Sequence, residues 1–307
     1  MTDNSVVIGA CITVNSQLGW RWTAYVEAIL AFAVVALSVF CLPESYAPRL
    51  LCLKAMRMRQ RTGIERYYHP HELTKLDVRS VITKHLARPL RMLFTEPIVA
   101  CLALYASFVY MLLYLTLEVF PIVFEQNRAY GPVIGKLPFL GTFVGLLCAI
   151  LINISNQPHY AYSVEANQGQ PVPEARLMPM VAGVMLLVIG LFWFGWTAAP
   201  QYNCFLPITA AGLIGAGSNV VTQQINNFLV DTYGLYAASA VSAKTISRSI
   251  MGAAFPLVAR PMFNKLGVGP AMSILGGIGC LALPVPYILK KYGVELRRMS
   301  KFRGHEG

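Results

Sequence analysis

The chain has 307 residues, of which 56% are hydrophobic and only 13% are charged, and its mean hydropathy is +0.54. A soluble domain carries about 25% charged residues, so this composition excludes ordinary soluble globular proteins and disordered chains. The 24 glycines follow no collagen-like repeat, and the 7 cysteines are too thinly spread for a disulfide-rich scaffold. The remaining class is an all-α polytopic membrane protein.

The formal net charge of +11 comes mainly from two basic blocks, residues 43–93 and 290–307. Basic blocks that flank apolar segments are typical of the cytoplasmic loops of membrane proteins. We therefore predict no nucleic-acid partner. The cysteines form no CxxC or Cys/His pattern, so we also predict no metal site, no cofactor and no disulfide.

Seven apolar segments are long enough to cross the hydrocarbon core, which needs about 20 predominantly apolar residues in a helix. They are Trp22–Leu42, Pro97–Phe124, Val133–Ile154, Leu177–Ala198, Phe205–Val230, Leu235–Ala259 and Val268–Leu289. An eighth segment, Val6–Val14, is too short at about 1.5 Å per residue to span the core. It has the length expected of the back half of a spanning helix.

The distribution of lysine and arginine predicts the orientation of these segments. If residues 43–93 lie on the cytoplasmic side and the spans alternate, most of the 25 Lys and Arg residues fall on that side. The C-terminus is then cytoplasmic as well. Within the basic linker, residues 47–61 predict an amphipathic helix on the inner leaflet, with a solvated linker as the alternative.

Several strings occur along the chain in an order that is typical of a known transporter family. They are Leu18–Thr23, Pro43–Pro48, Leu137–Gly141, Pro173–Leu177, Leu191–Thr197, Leu229–Ala240, Arg248-Ser249 and Gly252–Leu257. Together they resemble fungal major facilitator transporters of the drug:proton antiporter type. Within that type, the chain is most similar to the subgroup of polyamine, multidrug and secondary-metabolite exporters.

This resemblance implies twelve helices in two six-helix halves, of which this chain contains the second. Residues 1–42 then correspond to the end of helix five and to helix six, and residues 43–93 to the basic cytoplasmic linker. Residues 94–290 form the C-terminal six-helix bundle, and residues 291–307 the cytoplasmic tail. The expected fold is thus a C-terminal half with one preceding span and a partial helix. Val6 and Ala10 replace a proline and a glycine of the family's antiporter motif.

The resemblance also implies the function. We expect proton-coupled export of small organic molecules (drugs, polyamines or secondary metabolites), with the lipid bilayer, the substrate and protons as partners. The expected location is the plasma membrane, with the vacuolar membrane as the alternative. Helices one to four are missing, so the alternatives are a truncated, non-transporting fragment and a half that pairs with a second copy or a missing N-terminal half.

Four ionisable residues lie inside apolar segments, where charge is costly and indicates function: Glu27, Glu118, Lys244 and Arg248. Tyr110, Tyr114 and Glu118 are spaced i, i+4, i+8 and share one helix face. This face predicts a site for a cationic substrate or for a proton. The alternative for Glu118 is an interfacial glutamate that reaches water, and Glu27 is interpreted as a structural partner of Arg21.

Lys244 and Arg248 are one helical turn apart, so both side chains lie on the same face of one segment. They face the central cavity, or Lys244 reaches the cytoplasmic boundary by extending along the helix. Two cations favour an anionic substrate. The resemblance supports Arg248, whereas the family has a small polar residue at the position of Lys244.

A polar stripe runs along the segment Phe205–Val230 and consists of Asn219, Gln223, Asn226 and Asn227. Such a stripe either lines a cavity or hydrogen-bonds to a neighbouring helix. Gly212, Gly215 and Gly217 of the same segment are predicted to be close-packing positions. Asp231 is predicted to cap the next helix.

An integral-membrane enzyme is the alternative functional class. The sequence contains no DxxxD or HxxxxD string for such chemistry and no nucleotide-binding GxxxxGK[ST] string. The string His69-Pro70-His71-Glu72 resembles the family's loop rather than a metal site. We therefore predict a transporter, not an enzyme.

Overall fold

The structure is a computed structural model that describes residues 20–44, 47–64, 66–68, 87–131 and 134–298. The predicted partial helix Val6–Val14, the string His69–Glu72 and the last part of the tail lie outside the described residues. Helices α1 and α2, defined below, belong to one compact unit, and helices α3 to α11 belong to a second.

The described residues form eleven α-helices, and no strand occurs among them. The helices are α1 (Trp20–Cys41), α2 (Ala47–Thr62), α3 (Arg88–Thr95), α4 (Pro97–Pro121), α5 (Leu137–Ala166), α6 (Leu177–Thr197), α7 (Phe205–Tyr233), α8 (Ala237–Ala254), α9 (Pro256–Leu266), α10 (Val268–Ala282) and α11 (Pro284–Arg298). Helix α4 continues into a π-helical turn, Ile122–Asn127, and short 3-10 turns precede α5, α6 and α8.

Six helical stretches of the described chain are long and apolar enough to cross a membrane. They are Ala24–Cys41, Pro97–Asn127, Ile134–Ala166, Pro173–Thr197, Phe205–Ala254 and Val268–Gly293. All seven predicted spans are represented, because the stretch Phe205–Ala254 has 50 residues and contains both α7 and α8. The predicted helix at residues 47–61 is confirmed as α2, whereas its position on a membrane stays a prediction.

Three predicted segments differ from the helices in the structure. The segment Leu235–Ala259 is interrupted between α8 and α9, because Pro256 has no N–H to continue the helical hydrogen bonds. Pro284 divides Val268–Leu289 in the same way. Helix α5 extends 12 residues beyond the predicted Ile154, since polar residues continue the helix after the apolar sequence ends.

The core of the second unit is apolar and centred on α4. The Phe120 ring of α4 lies 5.4 Å from the Phe139 ring of α5 and 5.5 Å from the Phe194 ring of α6, measured between ring centres. Phe120 and Phe194 are fully buried. These aromatic contacts hold three spanning helices around one point.

Glycines allow α7 to approach its neighbours closely. A Cβ on Gly145 of α5 would overlap the backbone carbonyl of Gly212 on α7, and a Cβ on Gly217 would overlap the carbonyl of Gly183 on α6. A Cβ on Gly215 would lie 2.7 Å from the Thr142 methyl group. The prediction that the α7 glycines are close-packing positions is therefore confirmed. Small residues at such positions allow membrane helices to approach each other closely.

The side chain of Arg128 caps the C-terminal end of α6. Its guanidinium group donates hydrogen bonds to the carbonyl oxygens of Thr197 (2.9 Å), Ala198 (3.4 Å), Ala199 (2.8 Å) and Tyr202 (2.9 Å). The last carbonyls of a helix have no partner within the helix and carry partial negative charge, so an arginine is well suited to this position.

Candidate substrate site

An arginine and two tyrosines join α4 to α8. The guanidinium carbon of Arg248 lies 4.3 Å from the centre of the Tyr110 ring. The Tyr110 and Tyr114 hydroxyls share a hydrogen bond of 2.9 Å, and their ring centres are 4.6 Å apart. Gly252 of α8 makes room for the Tyr110 ring, because a Cβ there would lie 2.9 Å from the ring. Three predicted site residues are thus in one contacting group.

A second contact joins α8 to α7. Lys244 is 2% exposed, and its ammonium group donates a hydrogen bond to the amide oxygen of Asn226. Because Lys244 and Arg248 are one turn apart, the two contacts lie along the same face of α8. We define these five residues (Tyr110, Tyr114, Asn226, Lys244 and Arg248) as the cation cluster.

Neither cation of the cluster forms an ion pair with a described residue. The amide that Lys244 contacts is neutral, and Arg248 stacks on an uncharged ring. The Nε atom of Arg248 is buried and has no hydrogen-bond acceptor among the described residues. Buried N–H groups are almost always paired in folded proteins, so this face of the unit is suited to receive an acceptor.

Glu118 pairs with a residue outside the cation cluster. Its carboxylate lies 3.5 Å from the Nε of Arg260, and the two side chains are 36% and 77% exposed. Sequence reasoning placed Glu118 on the face of Tyr110 and Tyr114, but the contact that forms is with α9. A role of Glu118 in the substrate or proton pathway stays a prediction.

The remaining members of the polar stripe are at least partly accessible. Asn219 and Asn227 are half-buried, and Gln223 is exposed. The adjacent Gln224, which the stripe did not include, is buried and donates a 2.7 Å hydrogen bond to Asn153 of α5. Gln224 thus links α7 to α5. The sequence signals for this link were Asn153, near the end of the apolar segment Val133–Ile154, and Gln224 beside Gln223.

A polar cluster at the C-terminal end of α7 was missed by sequence reasoning. Asp231 accepts hydrogen bonds from Tyr160 of α5 (2.9 Å) and from the Nε of Arg176 (3.0 Å). The Arg176 guanidinium carbon lies 3.4 Å from the centre of the Tyr160 ring. The prediction that Asp231 caps the next helix is wrong, because α8 has no side-chain cap and Asp231 is bound to α5 and to the turn before α6.

A buried carboxylate was also missed. Glu96 is 1% exposed, immediately precedes α4, and accepts a 3.2 Å hydrogen bond from the Tyr233 hydroxyl at the end of α7. The predicted linker ends at residue 93, and Glu96 was not considered. Its only sequence signal is an acidic residue directly before a proline that starts a helix.

Comparison with known proteins identifies the family. Residues 5–256 match the model of the Major Facilitator Superfamily. The chain is 39% identical over 298 residues to the multidrug transporter FLU1 of Candida albicans and 41% identical over 298 residues to the citrinin-cluster transporter mrr1 of Monascus ruber. It is also 38% identical over 302 residues to the efflux pump bik6 of Gibberella fujikuroi.

These matches cover 96%, 96% and 98% of this chain but 49%, 59% and 62% of the respective relatives. The chain therefore spans about half to three-fifths of their length. The relatives are named as transporters, and the predicted family and the all-α polytopic fold class are confirmed. The chain is an integral membrane protein of the major facilitator superfamily.

Proposed function

We propose that the chain forms the C-terminal half of a proton-coupled exporter of small organic molecules, and that the cation cluster binds the substrate. The observation that carries this proposal is the burial of Lys244 beside Arg248 without an acidic partner among the described residues. A charge at the centre of a spanning helix costs about 2.5–3.5 kcal/mol on the insertion scale. A ligand that binds both cations would offset this cost, which explains why two charges lie on one helix face.

The chemistry of the cluster favours substrates with an anionic or acceptor-rich group. The ammonium group and the guanidinium Nε donate hydrogen bonds, and the Tyr110 and Tyr114 rings offer an aromatic wall for the apolar part of a molecule. A polyamine would meet like charge at this position. Among the substrate classes expected for the family, acidic drugs and acidic secondary metabolites therefore fit the cluster best.

Transport requires a second half, because the substrate cavity of this fold lies between two six-helix halves. We propose that residues 94–290 supply one wall of that cavity. The facing wall comes from an N-terminal half, to which residues 1–42 belong, or from a second copy. Because arginine side chains do not give up their proton in proteins, we assign Arg248 to substrate binding and not to proton transfer. Asn219 and Gln223 extend the polar wall along α7, and Glu118 is the candidate proton carrier on α4.

The distribution of basic residues supports a cytoplasmic position for the linker 43–93 and the tail 291–307. With this orientation, the plasma membrane is the proposed location for an exporter, and the vacuolar membrane is the alternative. Cysteine labelling tests the orientation. In a chain whose seven native cysteines are replaced by serine, a cysteine introduced at Arg61 should resist a membrane-impermeant thiol reagent in intact cells and react after permeabilisation. Reaction in intact cells would overturn the proposed topology.

Transport by the chain is tested in proteoliposomes. The chain is purified alone and after co-expression with the N-terminal half of the Candida albicans relative, and uptake of carboxyfluorescein is followed under an imposed proton gradient. We expect uptake by the paired halves that disappears when the gradient is collapsed, and no uptake by the chain alone. Gradient-driven uptake by a purified monomer would contradict the requirement for a second half. Absence of uptake by correctly inserted paired halves would contradict the transport proposal.

A further inference from the structure

A crevice lies between α4 and the α10–α11 pair, and none of its lining residues belongs to the cation cluster. Its volume is about 330 Å³, and its walls are almost entirely apolar. Leu104 of α4 and Leu281 of α10 form its rim and are 60% and 74% exposed. This volume is within the range of pockets that hold small organic ligands.

The crevice contains one buried polar group without a partner. Tyr105 lines the crevice and is 5% exposed, and its hydroxyl makes no hydrogen bond to a described residue. An unpaired hydroxyl in an apolar site is unfavourable, because it has lost its hydrogen bonds to water. A molecule that offers an acceptor to this hydroxyl would replace one of those hydrogen bonds while its apolar part fills the crevice.

The depth of Tyr105 restricts what can reach it. It lies eight residues after Pro97, which is about 12 Å along the helix and inside the stretch that crosses the membrane. The exposed rim is leucine, which indicates an opening toward hydrocarbon rather than water. The walls of the crevice are apolar, so a charged lipid headgroup does not fit them, and lipid acyl chains carry no acceptor. The occupant is therefore a molecule dissolved in the membrane.

We propose that this crevice binds a lipophilic small molecule with one hydrogen-bond acceptor, which enters from the bilayer and bonds to the Tyr105 hydroxyl. The site is separate from the cation cluster, because Tyr105 and Tyr110 are five positions apart and lie on different faces of α4. It therefore binds its ligand whether or not the chain transports a substrate, and its test needs no transport.

Benzophenone is a suitable probe, since it is an apolar two-ring ketone that attaches to neighbouring C–H bonds on irradiation. The whole 307-residue chain is placed in phosphatidylcholine nanodiscs, irradiated with benzophenone and mapped by mass spectrometry. We expect saturable labelling at the crevice, on peptides that contain Leu104 or Leu281. Tyr105→Phe should reduce this labelling about threefold to tenfold, which is the range of one net hydrogen bond. Tyr162→Phe, at an exposed tyrosine of α5, is the matched control and should leave it unchanged.

Two competitors of the same shape test the role of the acceptor. Fluorenone carries a carbonyl group and fluorene does not, so fluorenone should displace benzophenone from the crevice at a lower concentration. Tyr105→Phe should remove this difference while keeping or raising the temperature of unfolding, because it deletes an unpaired buried hydroxyl. Equal competition by both compounds, or unchanged labelling of Tyr105→Phe, would identify a non-specific acyl-chain groove and overturn the proposal.

Discussion

The guanidinium group of Arg248 stacks on the ring of Tyr110, with 4.3 Å between the guanidinium carbon and the ring centre. The contact joins α8 to α4 and fixes the plane of the guanidinium group without using its N–H donors. Stacking of this kind stabilises a cation by about 0.5–2 kcal/mol. Arg248 is thus held in place while its Nε stays available for an acceptor.

This contact predicts the effect of changing the ring. Tyr110→Leu removes the stacking partner and should lower the free energy of unfolding by about 1–2 kcal/mol. Tyr110→Phe keeps the ring and loses the hydrogen bond to Tyr114, so the free energy of unfolding should fall by about 1 kcal/mol or less. Thermal unfolding in detergent micelles measures both. Equal destabilisation by the two variants would show that the ring is not what holds Arg248.

The ion pair between Asp231 and Arg176 is half-buried, so we expect it to contribute more to the free energy of unfolding than an exposed pair does. The side chains of Arg176 and Asp231 are 15% and 13% exposed, so Asp231→Asn leaves a poorly solvated cation without its partner. We expect a loss of about 1.5–3 kcal/mol in the free energy of unfolding.

The control for this variant is Arg260→Ala, which breaks the exposed pair with Glu118. Its loss should be at most about 1 kcal/mol and should disappear at high salt. The same unfolding assay, repeated at low and high salt, measures both pairs. A larger effect at Arg260 than at Asp231 would contradict the burial that the structure assigns to these pairs.

The close approach of α5 and α7 predicts that one methyl group is not tolerated at Gly145. A Cβ there overlaps the carbonyl of Gly212, so Gly145→Ala should separate the helices and cost about 1–3 kcal/mol. Gly277→Ala on α10 is the matched control, because a Cβ at Gly277 meets nothing within 4 Å. The yield of monodisperse protein in detergent measures the effect of both variants. Normal yield of Gly145→Ala would mean that the two helices are farther apart.

The end of α6 predicts a difference between arginine and lysine at position 128. Arg128 donates to four carbonyl oxygens in a planar arrangement that a single ammonium group does not reproduce. Both Arg128→Lys and Arg128→Ala should destabilise the protein, the alanine variant by about 1.5–3 kcal/mol and the lysine variant by at least half of that. Full stability of the lysine variant would show that charge alone stabilises the end of the helix.

Much of the fold could be predicted because spanning helices leave a strong hydropathy signal. The interruptions at Pro256 and Pro284 were missed, although both residues are visible in the sequence. A proline by itself does not predict a break in a helix, because Pro158 lies inside the continuous helix α5. Hydropathy also does not report where a helix ends beyond the apolar core, as α5 shows.

The candidate site could be predicted in part. Lys244 and Arg248 stand out as charges in an apolar segment, and their spacing places them on one face. Their partners Asn226 and Tyr110 lie on other helices, and which residues meet there depends on the rotation and packing of those helices. The contact of Glu118 with Arg260 was missed for the same reason. Asn153 and Gln224 lie on two different helices, and only the packed structure pairs them.

The central claim is that the cation cluster selects an acidic substrate. The most direct test is the ratio of proton-driven uptake of anionic carboxyfluorescein to uptake of cationic rhodamine 6G by the paired halves. We predict that this ratio exceeds one, and that Lys244→Gln and Arg248→Gln each lower it at least tenfold at equal amounts of inserted protein. A ratio below one in the unchanged protein, or an unchanged ratio in both variants, would contradict the claim.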